Sequence, residues 1–251
     1  MIKSPSKQAD SIGFRPKRFW SIAEAVAQDD AYGIALDGRA TKTPQGHTVV
    51  LPSRTLAEAV AAEWASVAEF VDYEAMPLTR LGFAAIDRMP VQQAEILAEA
   101  TRYAETDLLC YPSDYPDALI AREDAAWLPL LDWASTDLGL YFIQNRSLIH
   151  QPQPPETLTK LQALVAAMTP YEQAGVMKGV ALFGSVILAL AVAHGQLSGE
   201  AALAASRIGE DFQAETWGQD AEAQQRTQHL KTDAVNLELW FKALLSAAPT
   251  A

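Results

Sequence analysis

The sequence predicts an α+β protein, in which a small N-terminal β-rich α+β domain is followed by a larger, all-helical C-terminal domain arranged as an orthogonal bundle. Three observations predict this fold. The dipeptide Asp37-Gly38 is a hairpin signal among short β-like runs, because both turn positions need a positive φ. An apolar stripe with helical spacing begins at Leu56, and nearly every segment beyond Pro77 has helical periodicity.

The N-terminal domain, predicted to span residues 14–75, combines strands with one helix. Its predicted strands are Tyr32–Leu36, Arg39–Lys42 and Thr48–Leu51. The turn residues between these runs predict a small antiparallel meander. Ser53 can cap the helix that follows. The side chains expected to pack that helix on the sheet are Leu56, Val60, Trp64, Val67 and Val71.

The C-terminal domain, predicted to span residues 76–247, is expected to be helical except for a possible extended stretch at Leu140–Ile149. Its predicted helices cover residues 79–88, 91–105, 117–138, 156–168, 170–194, 198–217 and 219–246. Thr169 and Glu172 are placed for a capping box. The most apolar stretch, Val180–Ala193, is shorter than the roughly 20 residues that a bilayer requires and therefore predicts a buried helix.

Composition and charge exclude several classes of partner. Apolar residues make up 49% of the 251 residues and charged residues 20%, which is typical of a folded chain with a sizeable core. The net charge of -12 argues against a nucleic acid or an anionic membrane surface as partner, because phosphate binding needs a basic stripe. Since the longest apolar stretch is too short for a bilayer, we also predict no membrane insertion. The single Cys110 cannot form an intramolecular disulfide and, between apolar neighbours, predicts a buried, inert thiol in a reducing compartment.

The sequence contains none of the common catalytic or cofactor motifs. A phosphate-binding loop, a dinucleotide-binding G-x-G-x-x-G, a G-x-S-x-G elbow and an H-E-x-x-H helix are all absent. The four histidines are far apart in the sequence, and no two are spaced four residues apart as metal ligands on one helix would be. We therefore predict no catalytic residue, no metal site and no cofactor.

The densest polar cluster covers residues 208–222. On a helix, one polar stripe would consist of Asp211, Glu215, Gln219 and Glu222. The other would consist of Glu210, Gln213, Trp217 and Asp220. Ile208 and Phe212 would then face the core. The carboxylates could perform acid–base chemistry, form a solvated helical face, or form a recognition surface in which Trp217 is an anchor and the acids pair with Arg or Lys of a partner.

Beyond these patterns, the chain resembles a known family over residues 18–241. The matching segments are RFW at 18–20, LDGRATKTPQG at 36–46, LAEAVAAEW at 56–64, MPLTRLGFAAIDR at 76–88, YAETDLLCYP at 103–112, GSVILALA at 184–191 and FQAETWGQDAEA at 212–223. These segments are similar to those of the alpha-subunit-specific assembly chaperones of the F1 sector of ATP synthase. Their number, length and order make the resemblance specific.

The resemblance implies a two-domain chaperone without catalytic activity. Such a protein holds the free F1-ATPase alpha subunit until a beta subunit takes its place. We expect a monomer, in the cytoplasm if the chain is bacterial and in the mitochondrial matrix if it is eukaryotic. The residues expected to contact the partner are Glu210, Asp211, Glu215, Trp217, Asp220 and Glu222.

Two other functions remain open from the sequence. An enzyme of unrecognised type that used the acidic cluster would place carboxylates with strongly perturbed pKa values in a deep pocket. A permanent structural subunit would bury an obligate interface of more than about 2,000 Å². A chaperone would instead carry the cluster on an open surface, beside exposed apolar groups.

Overall fold

The computed structural model describes residues 16–147, 149–218 and 221–246, and of residues 216, 217 and 221–224 it describes only the backbone. The described strands are β1 (Ala23–Gln28), β2 (Ala31–Leu36), β3 (Arg39–Ala40) and β4 (Val50–Leu51). Strand β2 pairs antiparallel with each of the other three. The predicted hairpin at Asp37-Gly38 is confirmed, with φ values of 48° and 77°.

The first strand, β1, was not predicted by the sequence patterns. It turns into β2 at Asp29, which has a φ of 47°. Ala, Glu and Gln are more common in helices than in strands, so the local composition hides this strand. Pairing with all six residues of β2 outweighs that weak local preference.

Helix α1 (Arg54–Ser66) packs on the sheet as predicted, but it ends before Val67 and Val71, which were expected to continue its apolar stripe. The Ser53 hydroxyl accepts a hydrogen bond from the Leu56 amide at 3.0 Å and caps the helix. Trp64 is buried, in agreement with its place in the apolar stripe. The indole of Trp20 donates to the Trp64 carbonyl at 3.2 Å and contacts the Trp64 ring edge-on, which closes the end of this core.

The rest of the described chain is mostly helical, which confirms the predicted α+β fold. Its helices are α2 (Pro77–Asp87), α3 (Gln93–Glu105), α4 (Asp117–Asp137), α5 (Pro155–Ala167), α6 (Pro170–Phe183), α7 (Val186–Ala193), α8 (Gly199–Ser206), α9 (Ile208–Trp217) and α10 (Ala221–Leu245). The capping box of Thr169 and Glu172 at the start of α6 is present. The stretch around residues 140–149 forms no strand in its described part, and residue 148 lies outside the described residues.

Two predicted helices are each divided in the structure. The segment 170–194 breaks after α6, where Gly184 has a φ of 66° and Ser185 caps α7. The segment 198–217 breaks at Arg207, whose φ of -113° and ψ of 11° separate α8 from α9. The apolar stretch Val180–Ala193 is therefore the end of one helix and the whole of the next, not a single buried helix.

Helix α7 forms the centre of the helical part, because every side chain from Val186 to Val192 is buried. Helix α6 packs on α10 and on α7 at glycine positions. A Cβ on Gly175 would lie 2.7 Å from the Phe241 ring, and one on Gly179 would lie 2.9 Å from the Ala189 Cβ. The glycines therefore serve close helix packing.

Two acids, one buried and one half-buried, join the N-terminal region to helix α2. Asp87 of α2 accepts a hydrogen bond from the Thr43 hydroxyl at 2.7 Å and lies 2.7 Å from Nδ1 of His47. Glu63 of α1 accepts from the amide and the hydroxyl of Thr79, both at 2.7 Å. One hydrophobic cluster also runs through both regions. The domain limits 14–75 and 76–247 stay a prediction, and positions 14, 15 and 247 lie outside the described residues.

Candidate functional site

Helix α9 carries the first part of the predicted acidic surface. Glu210 and Asp211 lie in its first turn, where negative charge is favoured by the helix dipole. The helix ends at Gly218, which has a φ of 82° and donates its amide to the Ala214 carbonyl at 2.8 Å. The chain then leaves the helical path, so the polar stripes predicted across residues 210–222 are not continuous on one helix.

Glu215 holds α9 against α4. The Arg122 guanidinium donates to both carboxylate oxygens of Glu215, at 2.8 and 2.9 Å, and lies over the Phe212 ring at 5.1 Å. These hydrogen bonds, more than simple charge attraction, lower the pKa of Glu215. The pair is exposed, so it orients the two helices more than it stabilises the fold.

Glu210 and Asp211 remain largely open to solvent. Their side chains are 62% and 51% exposed, and each approaches the Arg207 guanidinium only at 3.6 and 3.9 Å. These separations exceed those of strong charge-assisted hydrogen bonds. Both carboxylates can therefore exchange this contact for a cation on another molecule.

The remaining predicted partner-binding residues fall at the limit of what the structure describes. Trp217 is the last residue of α9 and Glu222 lies in the first turn of α10, but their side chains are outside the described part of the chain. Asp220 lies outside the described residues altogether.

An apolar groove lies next to α9, between α4 and α8. It has a volume of about 480 Å³. Residues that line it include Ala125, Pro129 and Leu130 of α4, Ala201 and Ala204 of α8, and Ile208 at the start of α9. No sequence pattern predicted this groove. Its only local signal is a set of alanines at helical spacing on two separate segments.

Two carboxylates outside the acidic cluster, Asp107 and Glu63, have a raised pKa and cap helix starts. Asp107 accepts from the amides of Val186 and Ile187 at 2.7 and 3.2 Å, and from the Ser185 hydroxyl at 2.8 Å. Burial raises the pKa of Asp107 to about 6, although these hydrogen bonds act to lower it. Burial also raises the pKa of Glu63. These groups stabilise helix starts, and the described acids of α9 are on an open surface.

Cys110 is buried, as predicted, and burial together with the nearby Asp107 raises the pKa of its thiol. A thiol in that state is a poor nucleophile. Within the described ranges, no group of three His, Cys, Asp or Glu side chains could hold a metal ion.

Comparison with known proteins places the chain in a family. A family model described as ATP12 chaperone protein matches residues 17–135. The solved structure of Atp12 from Paracoccus denitrificans is 37% identical, with a TM-score of 0.83, and the match covers 91% of this chain and 98% of that one. The chain belongs to the ATP12 chaperone family. The fission yeast Schizosaccharomyces pombe has a more distant relative, a mitochondrial atp12 protein, which is 27% identical over 214 residues.

Relatives of this ATP12 family member therefore occur in bacteria and in mitochondria. The yeast match covers 80% of this chain and 74% of the relative. The solved Atu1473 protein of Agrobacterium tumefaciens is 34% identical with a TM-score of 0.83, and the match covers 91% of this chain and 86% of that one. None of the described helices has both the length and the apolarity needed to cross a bilayer.

Several of the segments that resemble the ATP12 family meet in space. Asp107, from YAETDLLCYP, caps the helix that begins in GSVILALA. Thr43, from LDGRATKTPQG, binds Asp87 of MPLTRLGFAAIDR. These residues position the fold, whereas the acids of α9 point outward.

Proposed function

We propose that this chain binds the unassembled alpha subunit of the F1 sector of ATP synthase, prevents its aggregation and releases it for assembly. The observation that carries the proposal is the match to ATP12 chaperones over 91% of the chain at 37% identity. An unassembled ring subunit exposes interface area that is more apolar than the surface of a stable monomer, and such area aggregates. A chaperone that covers this area reversibly needs no catalytic group.

The proposed contact residues are Glu210, Asp211, Glu215, Trp217, Asp220 and Glu222. The exposure of Glu210 and Asp211 supports this choice, since both can pair with a basic group on the client. Glu215 contributes by fixing α9 on α4 through Arg122. The apolar groove beside α9 supplies the second property that a chaperone surface needs, which is apolar area next to a polar rim.

The rival functions have less support. The described acids of the cluster are largely exposed, and the open pocket of about 340 Å³ that Glu210 lines has no second carboxylate among its described lining residues, which disfavours acid–base catalysis. A permanent subunit would remain in the assembled ATP synthase, whereas a chaperone would be absent from it.

Coexpression with the F1 alpha subunit tests the proposal. The measurement is the amount of soluble alpha subunit and the fraction that copurifies with this chain. We expect the double variant Glu210→Lys with Asp211→Lys to lose most of the captured alpha subunit while its circular dichroism stays unchanged.

The matched control is Glu95→Lys with Glu156→Lys. These two exposed acids also lie in first helical turns, of α3 and α5, so the control has the same charge change and the same loss of dipole interaction. Equal capture by both double variants would reject the α9 surface. Failure of the unaltered chain to keep the alpha subunit soluble would reject the proposed function.

A further inference from the structure

The groove between α4 and α8 is apolar and open, and a buried hydrogen bond at its base fixes its width. The indole of the buried Trp127 donates to the Ala205 carbonyl at 2.9 Å and ties the two helices together. Leu130 and Ala205 are buried, whereas Ala125, Ala201 and Ala204 are exposed. A groove with a rigid base and small side chains on both walls fits large apolar side chains from another molecule.

The groove is continuous with the acidic helix. The face of α4 that carries Ala125 and Pro129 also carries Arg122 one turn earlier, and Arg122 binds Glu215 of α9. Ile208 lines the groove, and Asp211 follows it by one turn. An occupant of the groove would therefore contact α9 as well.

The polar groups around the groove are the neutral Gln196, the already paired Arg122, and a set of acceptors and acids. Pro129 lies inside α4 and has no N–H, so the carbonyl of Ala125 lacks its usual helical donor. Asp132 and Glu200 are exposed, and neither has an ion-pair partner among the residues that the structure describes. Together with Asp211, these groups favour a cationic neighbour.

We infer that this groove binds an amphipathic segment of the client, with large apolar side chains in the groove and Lys or Arg beside them. This inference rests on the proposed function and adds the chemistry of the bound segment. The apolar contacts supply most of the affinity, and the acids set the orientation. Because both contacts are at the surface, the client can leave when its native neighbour arrives.

The test fills the groove without disturbing the core. Ala201→Trp and Ala204→Trp place bulk at exposed positions on the groove wall, and Ala163→Trp makes the same change on the exposed face of α5. Each variant is coexpressed with the F1 alpha subunit, and circular dichroism checks its fold. We expect the two groove variants to reduce capture by about tenfold or more, and the α5 variant to capture as well as the unaltered chain.

Each outcome decides the inference. Full capture by both groove variants, with loss of capture in the Glu210 and Asp211 double variant, would overturn the groove and leave the proposed function standing. If the unaltered chain does not capture the alpha subunit, both proposals fall. If the chain alone is a dimer that the groove variants convert to a monomer, the occupant is a second copy and the inference is wrong.

Discussion

Helix α8 crosses two other helices, and the two crossings differ in how closely the helices pack. Toward α10, Gly199 is so close that an added Cβ would lie 1.9 Å from the Ala234 carbonyl oxygen. Toward α4, Ala201 and Ala204 remain exposed along the groove. The crossing of α6 with α10 resembles the first case, because Trp240 and Phe241 fill the space over Gly175. Small residues close a crossing only where the opposite helix supplies backbone or bulk, and elsewhere they leave room for another molecule.

Removing the bulk from a closed crossing has the largest expected effect. Trp240 is fully buried, and its indole donates to the Tyr171 carbonyl at 3.0 Å. We expect Trp240→Ala to lower the free energy of unfolding by about 3–5 kcal/mol, through lost burial and a cavity. Urea unfolding followed by circular dichroism measures this. The control, Leu128→Ala at an exposed site on α4, should cost below about 1 kcal/mol. A small loss for Trp240→Ala would mean that this crossing is not filled as described.

A buried carboxylate distinguishes the closed interior from the open surface by its pH dependence. The pKa of Asp107 is raised from 3.8 to about 6 in the folded chain, so the folded state favours the neutral acid. The stability contributed by the neutral form is therefore present below pH 3.8 and lost as the pH rises through about 6.

As the pH rises across that range, the free energy of unfolding of the unaltered chain should fall relative to that of Asp107→Asn. The expected change is about 3 kcal/mol, which corresponds to about two pKa units. Urea unfolding of both proteins at a series of pH values measures it. A difference that is constant with pH would show that Asp107 has an ordinary pKa in the folded chain.

Enlarging one small residue at each crossing of α8 gives a smaller effect. We expect Gly199→Ala to cost about 2 kcal/mol, because the α10 backbone must move. Ala204→Leu adds more atoms, but it extends into the open groove and should change the free energy of unfolding by less than about 0.5 kcal/mol. Thermal unfolding of the two variants compares them directly. Equal costs would show that the groove is as closed as the α10 crossing.

The smallest change in stability is expected at the Glu215–Arg122 pair, since both groups are exposed. Glu215→Gln removes the ion pair and should leave the thermal midpoint nearly unchanged. Amide exchange over residues 208–217 should become faster, because α9 loses its main polar contact with α4. Glu210→Gln, whose contact with Arg207 is longer, should leave that exchange rate unchanged.

Local patterns predicted much of the fold, and long-range contacts account for the rest. The hairpin at Asp37-Gly38, the cap at Ser53 and the burial of Trp64 follow from short-range rules, and the structure has all three. Strand β1 was missed because only its pairing with β2 makes it a strand.

The candidate site was predictable only in part. The acids of residues 210–215 stand out in the sequence, but Arg122, which binds Glu215, lies 93 residues away. The groove forms where two alanine-bearing helices meet, and neither helix indicates on its own that the alanines stay exposed. Which faces remain uncovered is decided by the packing of the whole bundle.

Amide hydrogen exchange on the complex with the F1 alpha subunit tests the central claim most directly. The chain is compared alone and bound, peptide by peptide. Slower exchange on binding at residues 125–130 and 201–211, which form the groove walls and the start of α9, is the predicted result. Protection confined to the N-terminal sheet, with the groove and α9 exchanging as in the free chain, would contradict the account.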